Sequence, residues 1–343
     1  MPAITPEFVF DLESNMRTIT VREYERLLDQ LWWRTVTREM TSGAKKERIS
    51  WLLDSARIQR TGKGGNIEFE DIVALTYEIE NENAAAGLKV KKEQLEDLDG
   101  NGIDLAAHWA RQMGAYAAYW PQKMVAKAIR DNGLAYDGVN FFSAVGHKVN
   151  PFNPSAGTYK NRFTGAAAGI YPGAIPIDES VSVETAVNNI VKAIAYVNSI
   201  AMPNGEDPRM LNIASILVPP RLYGRAQQIT NAKFIAQAAG SAAGSGDIEA
   251  LIRNFGLGQP VQCPELGSAF GGNDLTYYLA MREISTSEIG ALVYVNREPF
   301  SVIYHGPQTS AELARIREFQ WTTEGRNTVG LGHPYLLYKA EPT

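Results

Sequence analysis

The chain has 343 residues, 45% hydrophobic and 21% charged, which is length for about two domains and a composition that excludes a disordered polymer. Its 33 Lys and Arg are interleaved with 38 Asp and Glu for a formal net charge of −5, so the basic stripe of a nucleic-acid reader is missing and any DNA contact should be weak and sequence-blind. Cys263 is the only cysteine, and no apolar run approaches the roughly 18 residues of a membrane span, which excludes an intrachain disulfide, a cysteine zinc cluster and a transmembrane helix.

Residues 1–19 carry Pro2 and Pro6 without a clear period and predict an extended arm; residues 1–12 lack the basic-then-apolar pattern of a signal peptide, which with the lone cysteine predicts a protein made in a reducing cytosol. Thr20 and Glu23 form a capping-box pattern ahead of Leu27, Leu28, Leu31 and Trp32, the stripe of an amphipathic helix. After a break at 42–46 comes a short apolar stretch with Ile49, Trp51, Leu52 and Leu53. Two alternating runs, 72–79 and 85–92, flank the polar turn 80–83 and predict a long hairpin, with Tyr77 and Ile79 on one strand and Leu88 and Val90 on the other. A lone hairpin is marginal in water, so its apolar side needs covering, and a neighbouring subunit is one candidate.

The strongest helical signal runs over 101–132, with Leu105, Trp109, Met113, Tyr116 and Trp120 predicted on one face and Gly133 as the stop. Pro121 should kink or divide it. Residues 134–180 have no sustained period and predict a long irregular connection. A second helix is expected from a Ser182 cap, with Val187, Ile190, Val191, Ile194 and Val197 in its stripe, then a buried strand over 211–218 that Pro219 and Pro220 end before a short helix over 221–229. A flexible loop is expected at 240–246, strands at 274–281, 291–296 and 300–305, and an interrupted closing strand over 328–339.

Chemistry-bearing patterns are thin. His108, His147, His305 and His333 have no metal-ligand spacing, and Cys263 has neither a helix N-terminus nor basic neighbours to activate it. Gly62, Gly64 and Gly65 match no phosphate-loop pattern and read as turn glycines. The acidic groups Glu68, Glu70 and Asp71, and Glu96, Asp97 and Asp99, read as solvated charge, since no glutamate closes a calcium loop. The sequence therefore predicts no catalytic residues, no metal and no cofactor.

Segment order carries more. Lys91, Lys92, Glu93, Gln94, Leu95, Glu96 and Asp97 lead into the long helix; Tyr136, Asp137, Gly138, Val139, Asn140, Phe141 and Phe142 follow it, with His147 close behind; Ile216, Leu217, Val218, Pro219, Pro220, Arg221, Leu222 and Ala226 form a strand-to-helix junction; and 274–279 and 321–338 supply closing strands. From about Thr20 to Tyr338 these segments resemble the Mu-like family of tailed-bacteriophage major head subunits. The resemblance implies an α+β chain with the tailed-phage major capsid protein fold. Its parts would be an N-terminal arm (1–47), an extended hairpin loop with flanking strands (48–98), a peripheral domain with a long spine helix (99–180 and 289–343) and an axial domain (181–288).

It further implies a structural protein that self-assembles as hexamers and pentamers into an icosahedral shell around the genome. Scaffold, portal and cement proteins would be partners, packaged double-stranded DNA would be held by confinement, and the shell would be built in the bacterial host cytoplasm. Leu27, Leu31, Trp32, Tyr77, Ile79, Leu88 and Val90 are the expected contacts between subunits. Three other readings stand beside this one: an encapsulin-like nanocompartment shell of the same fold, an enzyme whose site joins His147 and Asp137, and another phage structural part, such as a tail or baseplate component, that forms rings or tubes.

Overall fold

The computed structural model describes residues 6–52, 74–91, 93, 101–150, 156–203, 205, 207–209, 211–231, 258–283, 290–306 and 311–342. Leu53, the glycines at 62, 64 and 65, both acidic groups and the loop at 240–246 lie outside them.

The described residues begin with helix α1 (Pro6–Leu28), so residues 6–19 are helical and not an extended arm. Pro6 fits a helix's first turn, where its missing N–H costs nothing, and Leu12, Met16 and Thr20, each four residues on, supply a buried stripe. Thr20 is thus mid-helix, not a cap: its hydroxyl donates to the Met16 carbonyl at 2.9 Å and lies 3.1 Å from the Ala110 carbonyl on the next helix, α2 (Asn101–Asp131).

That helix is one element straight through Pro121. Its buried face is also not the expected aromatic one. Ala106, Ala110, Ala117 and Ala118 are at most 5% exposed, whereas Tyr116 is 63% exposed. Small residues let two helix backbones approach closely. At Gly114 the approach is tightest, since a Cβ there would lie 2.5 Å from the Thr20 carbonyl oxygen.

Three strands follow α1: β1 (Thr37–Thr41), β2 (Lys46–Leu52) and β3 (Ala74–Glu80); β4 (Glu82–Lys91) comes directly after. The expected hairpin between 72–79 and 85–92 does not form. Strand β3 pairs back onto β2, from Lys46 opposite Glu80 to Leu52 opposite Ala74, and β4 leaves to join a different sheet. Residues 80–83 contain no glycine for the positive φ of a tight hairpin turn. Asn81 instead pins the junction: its N–H donates to the Lys45 carbonyl, and its side-chain amide to the Ser42 hydroxyl and the Ala44 carbonyl.

Among the described residues the further strands and helices are β5 (His147–Lys148), β6 (Thr158–Tyr159), β7 (Arg162–Phe163), α3 (Val183–Asn198), β8 (Leu211–Val218), α4 (Pro220–Asn231), β9 (Val261–Gln262), β10 (Tyr277–Glu283), β11 (Leu292–His305), α5 (Ala311–Ile316), β12 (Glu318–Leu331) and β13 (Leu337–Ala340). Ser182 caps α3 as expected, its hydroxyl accepting from the Thr185 N–H at 3.1 Å. Strand β8 has the expected bounds. The two strands expected at 291–296 and 300–305 are one, β11, whose register shifts around Glu298 absorb Pro299. The expected closing strand over 328–339 is likewise two pieces: the end of β12, and β13 beyond the turn at Pro334–Leu336.

Two main sheets result. One has the order β1-β11-β12-β4, with β1 parallel to β11; the other runs β7-β13-β10-β8-β9. The larger core lies between the second sheet and α3 and α4, where Ile190, Ile216, Leu217, Val218, Phe163 and Tyr338 are fully buried. A smaller core, with Leu12, Met16, Val302, Phe319 and Trp321, fixes α1 and α2 to the first sheet. Since β13 hydrogen-bonds β10, the strand expected to belong to the peripheral domain lies in the sheet expected to be axial.

Candidate subunit-contact site

The hairpin β2–β3 pairs with neither main sheet. Its root is secured by Lys45, whose ammonium is 3.1 Å from Glu80, and by Glu47, which accepts from the Ser42 hydroxyl at 2.6 Å and the Ala44 N–H at 3.2 Å. Hydrogen bonds from Ser42 and Ala44 hold the Glu47 carboxyl below its usual range. Ile79 packs with Val293 and Val295 into the space left by Gly330, where a Cβ would collide with its side chain.

The residues expected at subunit contacts divide. Trp32, Ile79 and Val90 are buried by this chain's own elements. Leu27, Leu31 and Leu88 are half-buried, Leu31 against the larger core and Leu88 against the smaller. Tyr77 sits in β3 opposite Ile49, its side chain outside the described residues. The stripe and the hairpin are not brought together: Trp32 lies against α2, and Ile79 against β11 and β12.

What the sequence did not point to is a groove of about 710 Å³ between α2 and the first sheet. Its walls are Met113, Tyr116 and Trp120 on α2, Phe300 on β11, and Phe270; its floor is the alanine run 84–86 of β4. The aromatic stripe read from the sequence thus lines a cavity, because the alanines opposite are too small to fill it. Strand β4 is also the outer strand of its sheet. Lys123, Arg130 and Glu265 also line the groove.

His147 and Asp137 do meet. His147 Nδ1 is 2.7 Å from the Asp137 carboxylate and Nε2 is 3.0 Å from the Phe141 carbonyl, with the ring fully buried. Burial alone would raise the Asp137 carboxyl; the His147 hydrogen bond and charge outweigh it and hold the group below the ordinary carboxylate range. Both ring nitrogens are occupied and no face is open to a substrate. Around the pair the motif is structural: Gly138 adopts φ 75° in the turn, the Asn132 side chain binds both backbone groups of Phe142, and Phe141 and Phe142 pack edge to face at 5.0 Å. The Cys263 thiol is buried and pushed well up by desolvation, which leaves it inert. Among the described residues no group of His, Cys, Asp or Glu could hold a metal ion, and no helix is long and apolar enough to cross a membrane.

Residues 15–171 match the family model described as the Mu-like prophage major head subunit gpT. Over those residues the chain is similar to the Mu-like major head subunit family. The match takes in most of α1, the hairpin, the spine helix α2 and the Asp137–His147 turn; the strand-to-helix junction at Val218 and Pro219 lies beyond it. No curated protein matches the chain.

Among solved structures, the capsid of cyanophage P-SCSP1u is 13% identical, with 90% of this chain and 86% of that one covered at a TM-score of 0.53. The procapsid of bacteriophage JBD30 is 14% identical, covering 99% and 77%, at 0.49. A virus-like particle from Pyrococcus furiosus is 10% identical, covering 96% and 98%, at 0.47. The cyanophage likeness shows the fold of this chain: the tailed-phage major capsid protein fold, with mixed helix and sheet.

Proposed function

We propose that this chain is the major capsid protein of a tailed phage, assembling as hexamers and pentamers into the icosahedral shell that encloses the genome. The observation that carries the reading is the family match over residues 15–171; the hairpin β2–β3, standing outside both main sheets, supports it. In the shell the hairpin lies across a neighbouring subunit, with Tyr77 among its contacts, and Leu27, Leu31 and Leu88 border the interfaces. Trp32, Ile79 and Val90 back those surfaces from inside. Residues 181–288 face the symmetry axes of the capsomers, and 99–180 with 289–343 form the periphery, apart from β7 and β13, which join the axial sheet. Repetition of weak contacts makes the closed shell strong.

Scaffold, portal and cement proteins are the further partners, and assembly takes place in the host cytoplasm. With a net charge of −5 the subunit offers DNA no basic stripe, so the packaged genome is held by confinement. Electron microscopy of the purified protein tests the reading. Closed shells, or hexameric and pentameric capsomers, are expected; a monomer that persists at high concentration would overturn it.

A further inference from the structure

Glu265 is an acidic residue on a short turn (Pro264–Leu266), only 5% exposed. A buried carboxylate is costly unless its oxygens are bonded. Among the described residues no cation pairs with them. Oε2 accepts from the Trp32 indole N–H at 3.0 Å, and Oε1 accepts from the Gln122 amide at 2.7 Å and from the Tyr119 hydroxyl. The Gln122 carbonyl oxygen in turn accepts the Trp32 backbone N–H at 3.1 Å, which closes a ring of hydrogen bonds. Arg130 spends its charge elsewhere, donating to the backbone carbonyls of Glu265, at 2.8 Å, and of Phe270.

Three stretches remote in sequence therefore converge on one side chain: the segment after α1, the face of α2 bearing Tyr119, Gln122 and Arg130, and the turn that follows β9 of the second sheet. One face of the helix here, with Val125, Ala126 and Ile129, is buried in the larger core, but the face toward β4 is not filled. Tyr119, Arg130 and Glu265 themselves line the open groove of about 710 Å³. Apolar contacts beside a void tolerate sliding, whereas directional bonds to a buried carboxylate select one arrangement.

The geometry points to Glu265 as a positioning residue that sets the angle of the spine helix α2 against the second sheet, and through that angle the curvature of the assembled shell. This deepens the shell reading and rests on it. Glu265→Gln keeps the shape but replaces an acceptor oxygen by an NH2 group, so one of the three donors meets another donor. Trp32→Phe removes one of those donors, so the double variant relieves the clash.

The test is the particle diameter distribution by electron microscopy for wild type, Glu265→Gln, the Trp32→Phe/Glu265→Gln pair, and Ile216→Val, which touches none of these hydrogen bonds, as a control of comparable thermal stability in the larger core. The expected result is a distribution about twofold broader, or loss of closed shells, for Glu265→Gln, a return toward wild type in the double variant, and no change in the control. Glu265→Gln shells with the wild-type distribution overturn the clamp alone, as does a double variant no better than the single one. Wild-type protein that forms no shells overturns the shell reading itself.

Discussion

The two halves of this subunit are built on different terms. Around the second sheet, α3 and α4 close over β8, β10 and β13, and the interior is filled: Leu217 and Val218 are fully buried, and Phe163 stacks on Tyr338 at 5.5 Å. Around the first sheet, α1 and α2 cover only part of the surface; a groove remains beside β4, Tyr116 is 63% exposed, and β2–β3 stands outside both sheets. The difference teaches where each property resides. The closed half supplies the free energy that keeps one chain folded, and on the proposed shell reading the open half supplies surfaces for a second copy to complete.

The sharpest break of that comparison is a cavity in the closed half. Leu217→Ala should cost about 2–5 kcal/mol and lower the melting temperature of the free subunit more than any surface change in the open half. Next comes Gly114→Ala. Its Cβ would press on the Thr20 backbone, so α1 and α2 must separate, at about 1–3 kcal/mol, and amide exchange should rise in α1 while β8 keeps its protection.

Acid acts on the closed half through His333. Burial, with Arg209 nearby, pushes this imidazole from 6.5 down to about 3. The unfolded chain takes up the proton first, so stability is full above 6.5 and falls as the pH drops from there toward 3. Melting temperatures followed over that window should decline on acidification, and His333→Phe, which retains an aromatic ring against Tyr335, should flatten the decline. Smallest in its effect on the free subunit is Tyr116→Ser in the open half. Its melting temperature should stay close to wild type, a change within about 0.5 kcal/mol, while the yield of closed shells falls.

How much of this was legible follows the same division. In the closed half the signals are local and agree: Ser182 caps a helix with a regular apolar stripe, and β8 ends where Pro219 and Pro220 begin α4. In the open half they are not local. Strands β3 and β4 have good alternation, but the partner of β4 is β12, more than 200 residues away, so the nearest partner was the wrong one. On α2 the large aromatics dominated the periodicity, whereas the packing face is the quieter series Ala106, Ala110, Gly114 and Ala117. The same size argument hid α1, where Leu12, Met16 and Thr20 were outweighed by two prolines. Trp32 was legible as a residue in need of a partner, but its partner, Glu265, is a lone acid between Pro264 and Leu266 with no motif around it. Such a clamp exists only once the chain has folded.

Amide exchange measured on free subunits and on assembled shells compares the halves most directly. The account predicts new protection on assembly along β2 and β3 and in α2 around Met113 to Lys123, with β8 and β10 equally protected in both states. New protection confined to the second sheet, with the hairpin and groove unchanged, would contradict it.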